Sequence, residues 1–465
     1  MAAPLVMDTR TTRLVLIAAL LHGLAYFFAV APWMGEDEPW NLEYATHVSE
    51  LHQPWGGRKA TRGEHGTVDE RRLWATSALQ MRQRVAGVSD EAIAARQREI
   101  LDSMENEQFF RRVDWAGGAS KRTDFDQIEP FFTASTHPPV YYVLLGAWLA
   151  PIRGLGIETK LAWGRTLSLG LYVLTVWIAL QLACCAFADR SLAIAATLAF
   201  AWLPINARQA AIVNSDVLAR TMGVLVLYLC ARCLVSEHRR AAFAWAAVFT
   251  GLGLLVKSTT ASSIAALYVT LLLQPKILAN RARLALFLAG SVAVLAAVVL
   301  IWHTQHSPVL PRNFPAFVER VSRGLSAETF HTLGTRFIGA FNWNSREMSS
   351  ATYAVAAAVA GFGLLSGFSA LFHTRRNVSR PVLAVCLATV GFQLVLVVLR
   401  GAGEGRYLMP VLGALAVIFA VGFVAPFSDF RRPTALRAFA TLLLVYDTLF
   451  LWGGLVPNEF LLWGS

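Results

Sequence analysis

A set of ionisable residues stands at the ends of long apolar runs. Asp37 and Glu38 follow the first run, in "GEDEP", with Glu36 beside them. His137 stands in "STHPPVYY", Asp216 in "AIVNSDVLAR", Lys257 in "LGLLVKSTTA" and Arg406 in "GEGRYLMP". An unpaired charge at a membrane edge is costly, so such residues are candidates for function. The types suggest a division of labour. Burial raises the pKa of a carboxylate and a nearby lysine lowers it, a balance that suits general-base work by Asp37 or Asp216. A planar guanidinium beside a compact ammonium suits a phosphate, which points to Arg406 and Lys257. Each residue also has a plainer reading. Asp216 can cap the helix that begins near Val217. Lys257 can snorkel from a tight turn. Arg406 can flank the next helix, His137 can mark a helix entry before Pro138 and Pro139, and the acids can start a solvated loop.

The chain that must position them has 465 residues, 55% of them hydrophobic and only 15% charged, with a mean hydropathy of +0.49. A soluble chain carries nearer a quarter charged residues. Many of its apolar runs approach or exceed the roughly 17–20 residues that cross a bilayer, and they are continuous rather than alternating, so the spans are helices and not barrel strands. The net charge of +11 lies largely in short loops, which is the positive-inside pattern and not a nucleic-acid footprint. Arg10 and Arg13 precede a first run without a convincing cleavage site, so that run reads as a retained helix. The five cysteines lie in or beside apolar runs, and Cys230 and Cys233 form one CxxC with no second pair for zinc. The sequence contains no HExxH, Walker loop or GxSxG. Acids and one histidine could gather a divalent metal, but their spacing names no site, and no cofactor is indicated.

The runs predict spans at Leu14–Trp33, Leu161–Ala183, Leu192–Ile205, Val217–Val235, Ala241–Val256, Ser258–Leu273, Leu284–Trp302, Tyr353–Phe372, Val382–Leu399, Leu408–Phe427 and Ala435–Trp452. Val140–Ile152 is short, and a full span there would turn the later basic loops outward, so it reads as an interfacial or re-entrant helix. The fold class is therefore an all-α polytopic membrane protein of about 11 transmembrane helices. Its organisation is a cytoplasmic N-terminus and first helix (1–33), an extracytoplasmic loop with amphipathic helices (34–137), an interfacial helix and transmembrane helices (138–302), a second extracytoplasmic loop (303–350) and C-terminal transmembrane helices (351–465). This orientation gathers Asp37, Glu38, His137, Asp216, Lys257 and Arg406 on the outer face.

The motifs "DEPWNLEYATHV", "THPPVYYVLLGAWL", "AIVNSDVLARTMGVLVLYL", "GLGLLVKSTTASSIAALYV" and "GRYLMPVLGALAV" follow in the order seen in polytopic glycosyltransferases of the GT-C fold. The set resembles the bacterial relatives of lipid A aminoarabinose transferases and protein O-mannosyltransferases. The resemblance implies a GT-C-like bundle with a large helical first extracytoplasmic loop. It implies a polyprenyl-phosphate-linked sugar as donor, a lipid, glycan or protein as acceptor, and a site on the outer side of the cytoplasmic membrane. The family's acid in the first outer loop matches Asp37, with Glu38 adjacent, and that of the next outer turn matches Asp216; these three are the expected catalytic acids. The family's HPP or KPP element matches His137, Pro138 and Pro139, and its basic residues for the lipid phosphate match Lys257 and Arg406; Asn214 and Tyr407 are further residues expected to bind substrate. The family commonly shows two prominent aspartates, whereas this chain places Glu36, Asp37 and Glu38 together. Competing readings are a lipid or polysaccharide transporter, which would carry charges near the midplane and an internal repeat, a scaffold built on the first loop, and a polymerase of lipid-linked glycans.

Overall fold

The computed structural model describes residues 5–35, 37–51, 90–112, 138–236, 239–274, 314–338, 340–341, 346–347, 349–372, 378–401, 403–424 and 432–459. In chain order the helices are α1 (Thr9–Ala29), α2 (Glu38–Leu51), α3 (Asp90–Asn106), α4 (Phe109–Arg112), α5 (Val140–Leu149), α6 (Ile157–Ala186), α7 (Arg190–Ala201), α8 (Pro204–Ala210), α9 (Ser215–Val235), α10 (Arg239–Leu254), α11 (Ser262–Leu273), α12 (Phe314–Gly324), α13 (Ala327–Ile338), α14 (Ser350–Ser369), α15 (Arg380–Arg400), α16 (Leu412–Val424), α17 (Arg432–Phe450) and α18 (Val456–Glu459). Short 3-10 turns cover Ser258–Ala261 and Gly405–Val411. Two-residue strands, β1 (Ala340–Phe341) and β2 (Arg346–Glu347), pair antiparallel.

The chain is a polytopic membrane bundle. Among the described residues seven helices are long and apolar enough to cross a membrane, and eight if α7 and α8 make one span. The seven coincide with seven of the expected spans. The other four expected runs divide differently. Leu192–Ile205 bends by 61° between α7 and α8, because Pro204 bars the α conformation at Leu203. Ala241–Val256 becomes α10, of 16 residues, and Ser258–Leu273 is likewise a shorter apolar helix. Leu284–Trp302 lies outside the described residues. Val140–Ile152 forms α5 and a 3-10 turn.

Start signals act locally. Asp8 caps α1 by accepting from the Thr11 backbone N–H at 2.8 Å, and Asp189 caps α7 from the Ser191 N–H at 2.8 Å, each satisfying a helix-start donor. Exposed Leu14, Ile17, Leu21 and Phe28 on α1, and Leu442, Leu444 and Leu449 on α17, leave large apolar surfaces outward. Such surface suits lipid, where every backbone polar group must be satisfied within the helix.

The interior divides into two apolar clusters. The larger lies among α6, α7, α9, α15 and α16. The second contains Val30, Trp33, Leu42, Tyr141, Tyr142, Ile212, Val213 and Val256, and it supports the segments that carry the expected site. The first loop is expected to hold amphipathic helices; its charged stretch "SDEAIAARQREILDSMENEQFFRRV" supplies α3 and α4, while the similarly charged "DERRLWATSALQMRQRV" lies outside the described residues. Helix α3 is docked, with Ser103 accepting from Trp33 Nε1 at 3.0 Å and Glu99 accepting from the Ile157 N–H at 2.9 Å.

Candidate functional site

Two neighbouring acids of the first motif have different surroundings. Glu38 is 0% exposed. Arg165 of α6 grips it with two bonds, Nε to Oε1 at 2.9 Å and Nη2 to Oε2 at 2.7 Å. The Val213 N–H adds 2.9 Å to Oε1 and the Gly35 N–H 3.3 Å to Oε2. Arg165 also donates to the Val30 and Ala31 carbonyls at 2.8 and 2.9 Å. One buried bidentate pair therefore ties the end of α1, the start of α2, α6 and the strap before α9 together. Such geometry is what lets a buried pair recover its desolvation cost. Truncating one partner leaves the other charge buried, so Arg165→Met lowers stability by about 3–5 kcal/mol, read by thermal unfolding of the purified protein.

Asp37 sits one residue earlier in the left-handed region, at φ 60°, which an L-residue adopts at a cost. Its carbonyl accepts from Asn41 Nδ2 at 2.7 Å, which holds the turn. The twist takes its side chain to a different partner. Asp37 Oδ2 pairs with Arg406 Nη1, and the two side chains keep 31% and 21% of their exposure. Glu36 lies outside the described residues.

Asp216 is 0% exposed, and its Oδ1 meets Lys257 Nζ at 2.7 Å. It is not the cap of α9. That role falls to Asn214, whose side chain accepts from the Asp216 N–H at 2.9 Å, because an oxygen two residues before the donor has the reach. The Asp216 carboxylate is thereby free of capping and turned to Lys257. Lys257 lies in the turn between α10 and the following 3-10 helix, with extended backbone. Burial pulls its ammonium pKa down and Asp216 opposes this, while Arg406 lowers it and Asp37 raises it. Asp216, Arg406 and Asp37, from three other segments, thus lie within electrostatic reach of Lys257.

Arg406 is aimed by its loop. Gly401 ends α15 at φ 66°, and a Cβ at Gly403 would overlap the Thr329 carbonyl of α13. Glu404 pairs with Arg336 of α13. Tyr407 packs under the Arg400 guanidinium, 4.6 Å from its ring centroid, and Arg400 donates to Ser258 Oγ at 2.8 Å, next to Lys257. His137 lies outside the described residues. The helix that follows it is joined to the Lys257 turn through the Val140 N–H and the Leu255 carbonyl, 3.4 Å apart.

Sequence reasoning missed several residues around this cluster. Tyr142 donates to Asn41 Oδ1 at 2.7 Å and lies 4.5 Å, ring to ring, from Tyr44, whose phenol burial pushes up to about 12. Tyr141 and Tyr142 are within reach of the charges of Asp216 and Asp37 respectively. Arg165 and Arg220 did leave a signal, since each is a cation inside an apolar run. The tyrosines left none, being ordinary interfacial aromatics in sequence. Among the described residues no group of three or more His, Cys, Asp or Glu side chains is placed to hold a metal ion.

The fold of this bundle is GT-C-like. It superposes on ArnT from Cupriavidus metallidurans bound to undecaprenyl phosphate with a TM-score of 0.52 at 15% identity, covering 97% of this chain and 74% of that one. The apo state of the same protein gives a TM-score of 0.49 at 15% identity over 97% and 74% of the two chains. The arabinofuranosyltransferase AftD from Mycobacteria gives 0.44 at 16% identity, over 98% of this chain and 29% of that one. No curated protein matches in sequence. Residues 20–445 match the family described as "Predicted membrane protein (DUF2142)", and the chain belongs to that family.

Proposed function

We propose that the chain is a glycosyltransferase that takes a sugar from a polyprenyl phosphate and moves it to an acceptor at the outer face of the cytoplasmic membrane. The observation that carries this reading is the pair of contacts Asp37–Arg406 and Asp216–Lys257, brought together at helix ends in a fold shared with a protein solved with undecaprenyl phosphate.

The charges divide the work. Asp37 is the more accessible acid and acts as the base, taking the proton of the acceptor nucleophile. Arg406 and Lys257 take the phosphate oxygens, which gain negative charge as the bond from the anomeric carbon to the phosphate oxygen breaks. The acceptor oxygen or nitrogen bonds to that carbon, the proton goes to Asp37 and the polyprenyl phosphate leaves. Direct displacement inverts the anomeric centre. Asp216 orients acceptor or sugar and holds Lys257. Glu38 acts through Arg165 and is a positioning residue, its two oxygens taken up by Arg165 and by the Val213 and Gly35 N–H groups. Asn214 sets the direction of Asp216, Tyr407 lies under Arg400, which bonds to Ser258 beside Lys257, and His137 binds substrate from the entry to α5; positioning of this kind supplies much of the rate.

The test is purified protein in lipid discs with radiolabelled polyprenyl-phosphate sugars and membrane lipid, glycan and protein acceptors. Transfer of label to one acceptor class, with inversion of the anomeric centre, is expected. Lipid or glycan moved across the bilayer without a new glycosidic bond overturns the reading in favour of a transporter. Gly403→Ala pushes the Arg406 loop off α13, and it should raise the KM for the lipid donor roughly tenfold, a loss of about 1.4 kcal/mol, while the unfolding temperature changes little.

A further inference from the structure

Arg220 lies on α9 one turn after Asp216, deep in the bundle and 0% exposed. A cation buried in a membrane helix demands partners. Its Nη1 donates to the Asn206 carbonyl at 2.9 Å and to the Asn206 side-chain oxygen, and its Cζ stands 5.7 Å from the Tyr172 ring centroid. Asn206 in turn donates to the Phe200 carbonyl at 2.6 Å, so this part of the contact stitches the break between α7 and α8. That role employs one nitrogen. Nε and Nη2 are buried with no protein acceptor among the described residues, and Asp216 Oδ2 is buried with no protein hydrogen-bond donor among them.

The three orphaned groups belong together. Residues four apart share a helix face, and the Cα–Cβ bond leans toward the helix N-terminus, so Arg220 reaches back toward the turn of Asp216. The two charges interact. Arg220 only donates hydrogen bonds and an ionised carboxylate only accepts them, and a group that bridges them must do both, as a hydroxyl or a water does. Among the described residues, Tyr141 and Lys257 also lie within the field of Asp216.

We propose that Arg220 is a positioning residue for Asp216, fixing Oδ2 through one bridging hydroxyl or water while Lys257 fixes Oδ1. Held from both sides, the carboxylate presents one direction to the reacting groups, and Arg220 works on the turnover step rather than on donor capture. This rests on the reading of Asp216 as an acid of the transfer site.

Two measurements decide it. In the first, Arg220→Gln keeps a donor for Asn206 and removes the charge, and Arg220→Lys keeps the charge. With folding verified by thermal unfolding, the Gln variant should lose about tenfold or more in kcat with KM for the donor unchanged, and the Lys variant should recover a substantial part. A Gln variant that folds and raises KM at unchanged kcat, or a Lys variant no better than Gln, overturns the proposal. The second uses the unmodified protein in lipid discs, imaged at a resolution that shows ordered water, without donor and with a polyprenyl-phosphate sugar. Density within hydrogen-bond reach of both Asp216 Oδ2 and Arg220 is expected. A bridge present without donor is a water, and one that appears only with donor is a sugar hydroxyl. Side chains with no bridge in either map overturn the proposal. This measurement holds whether or not transfer is detected. A wild-type protein without transfer therefore counts against the proposed function, and a missing bridge against Arg220.

Discussion

Asp37→Asn removes the base while keeping the shape of the side chain, and sugar transfer falls by about 10²–10⁴-fold. The loss should appear in kcat, because the amide still reaches Arg406, and the lipid donor still meets Lys257. The contrast with the adjacent residue sharpens the test. Glu38→Gln disturbs a buried bidentate pair, so its effect should be a lower unfolding temperature, with activity falling in proportion to folded protein. A variant at Asp37 that retains transfer, or a Glu38 variant that is stable but inactive, would exchange the roles given to the two acids. Stopped transfer assays on both variants, beside thermal unfolding curves, separate the outcomes.

Lys257→Met should strike stability and activity together. Asp216 is fully buried and Lys257 is its ion partner at 2.7 Å, so removing the ammonium leaves a buried carboxylate without its direct ion partner, at a cost of about 3–5 kcal/mol. Transfer should be lost as well, since the phosphate loses one of its two cations. Combining Lys257→Met with Asp216→Asn removes both charges and should return most of the stability without returning transfer. Recovery of both would make the pair a structural clasp, and recovery of neither would mean that Lys257 has a further partner.

How far the sequence alone reached can be seen residue by residue. The membrane class, the helical nature of the spans and seven of their positions follow from runs of apolar residues, because the bilayer imposes a length and backbone satisfaction imposes a helix. The convergence of Asp37, Asp216, Lys257 and Arg406 followed from topology, since charge asymmetry in the loops places four helix ends on one side. Directions were another matter. In "GEDEP" the order of the carboxylates says nothing about where each points. The left-handed turn at Asp37 sends that residue to Arg406, and the next residue, in the first turn of α2, faces Arg165 from α6, more than a hundred positions away. The break after Ala201 announced itself only as Leu203–Pro204, while its repair by Tyr172, Asn206 and Arg220 depends on neighbours from other helices. Local chemistry and the membrane thickness act along the chain and are legible in it. Which buried charge meets which is decided by packing between distant segments, where the low dielectric makes one wrong partner too costly to keep.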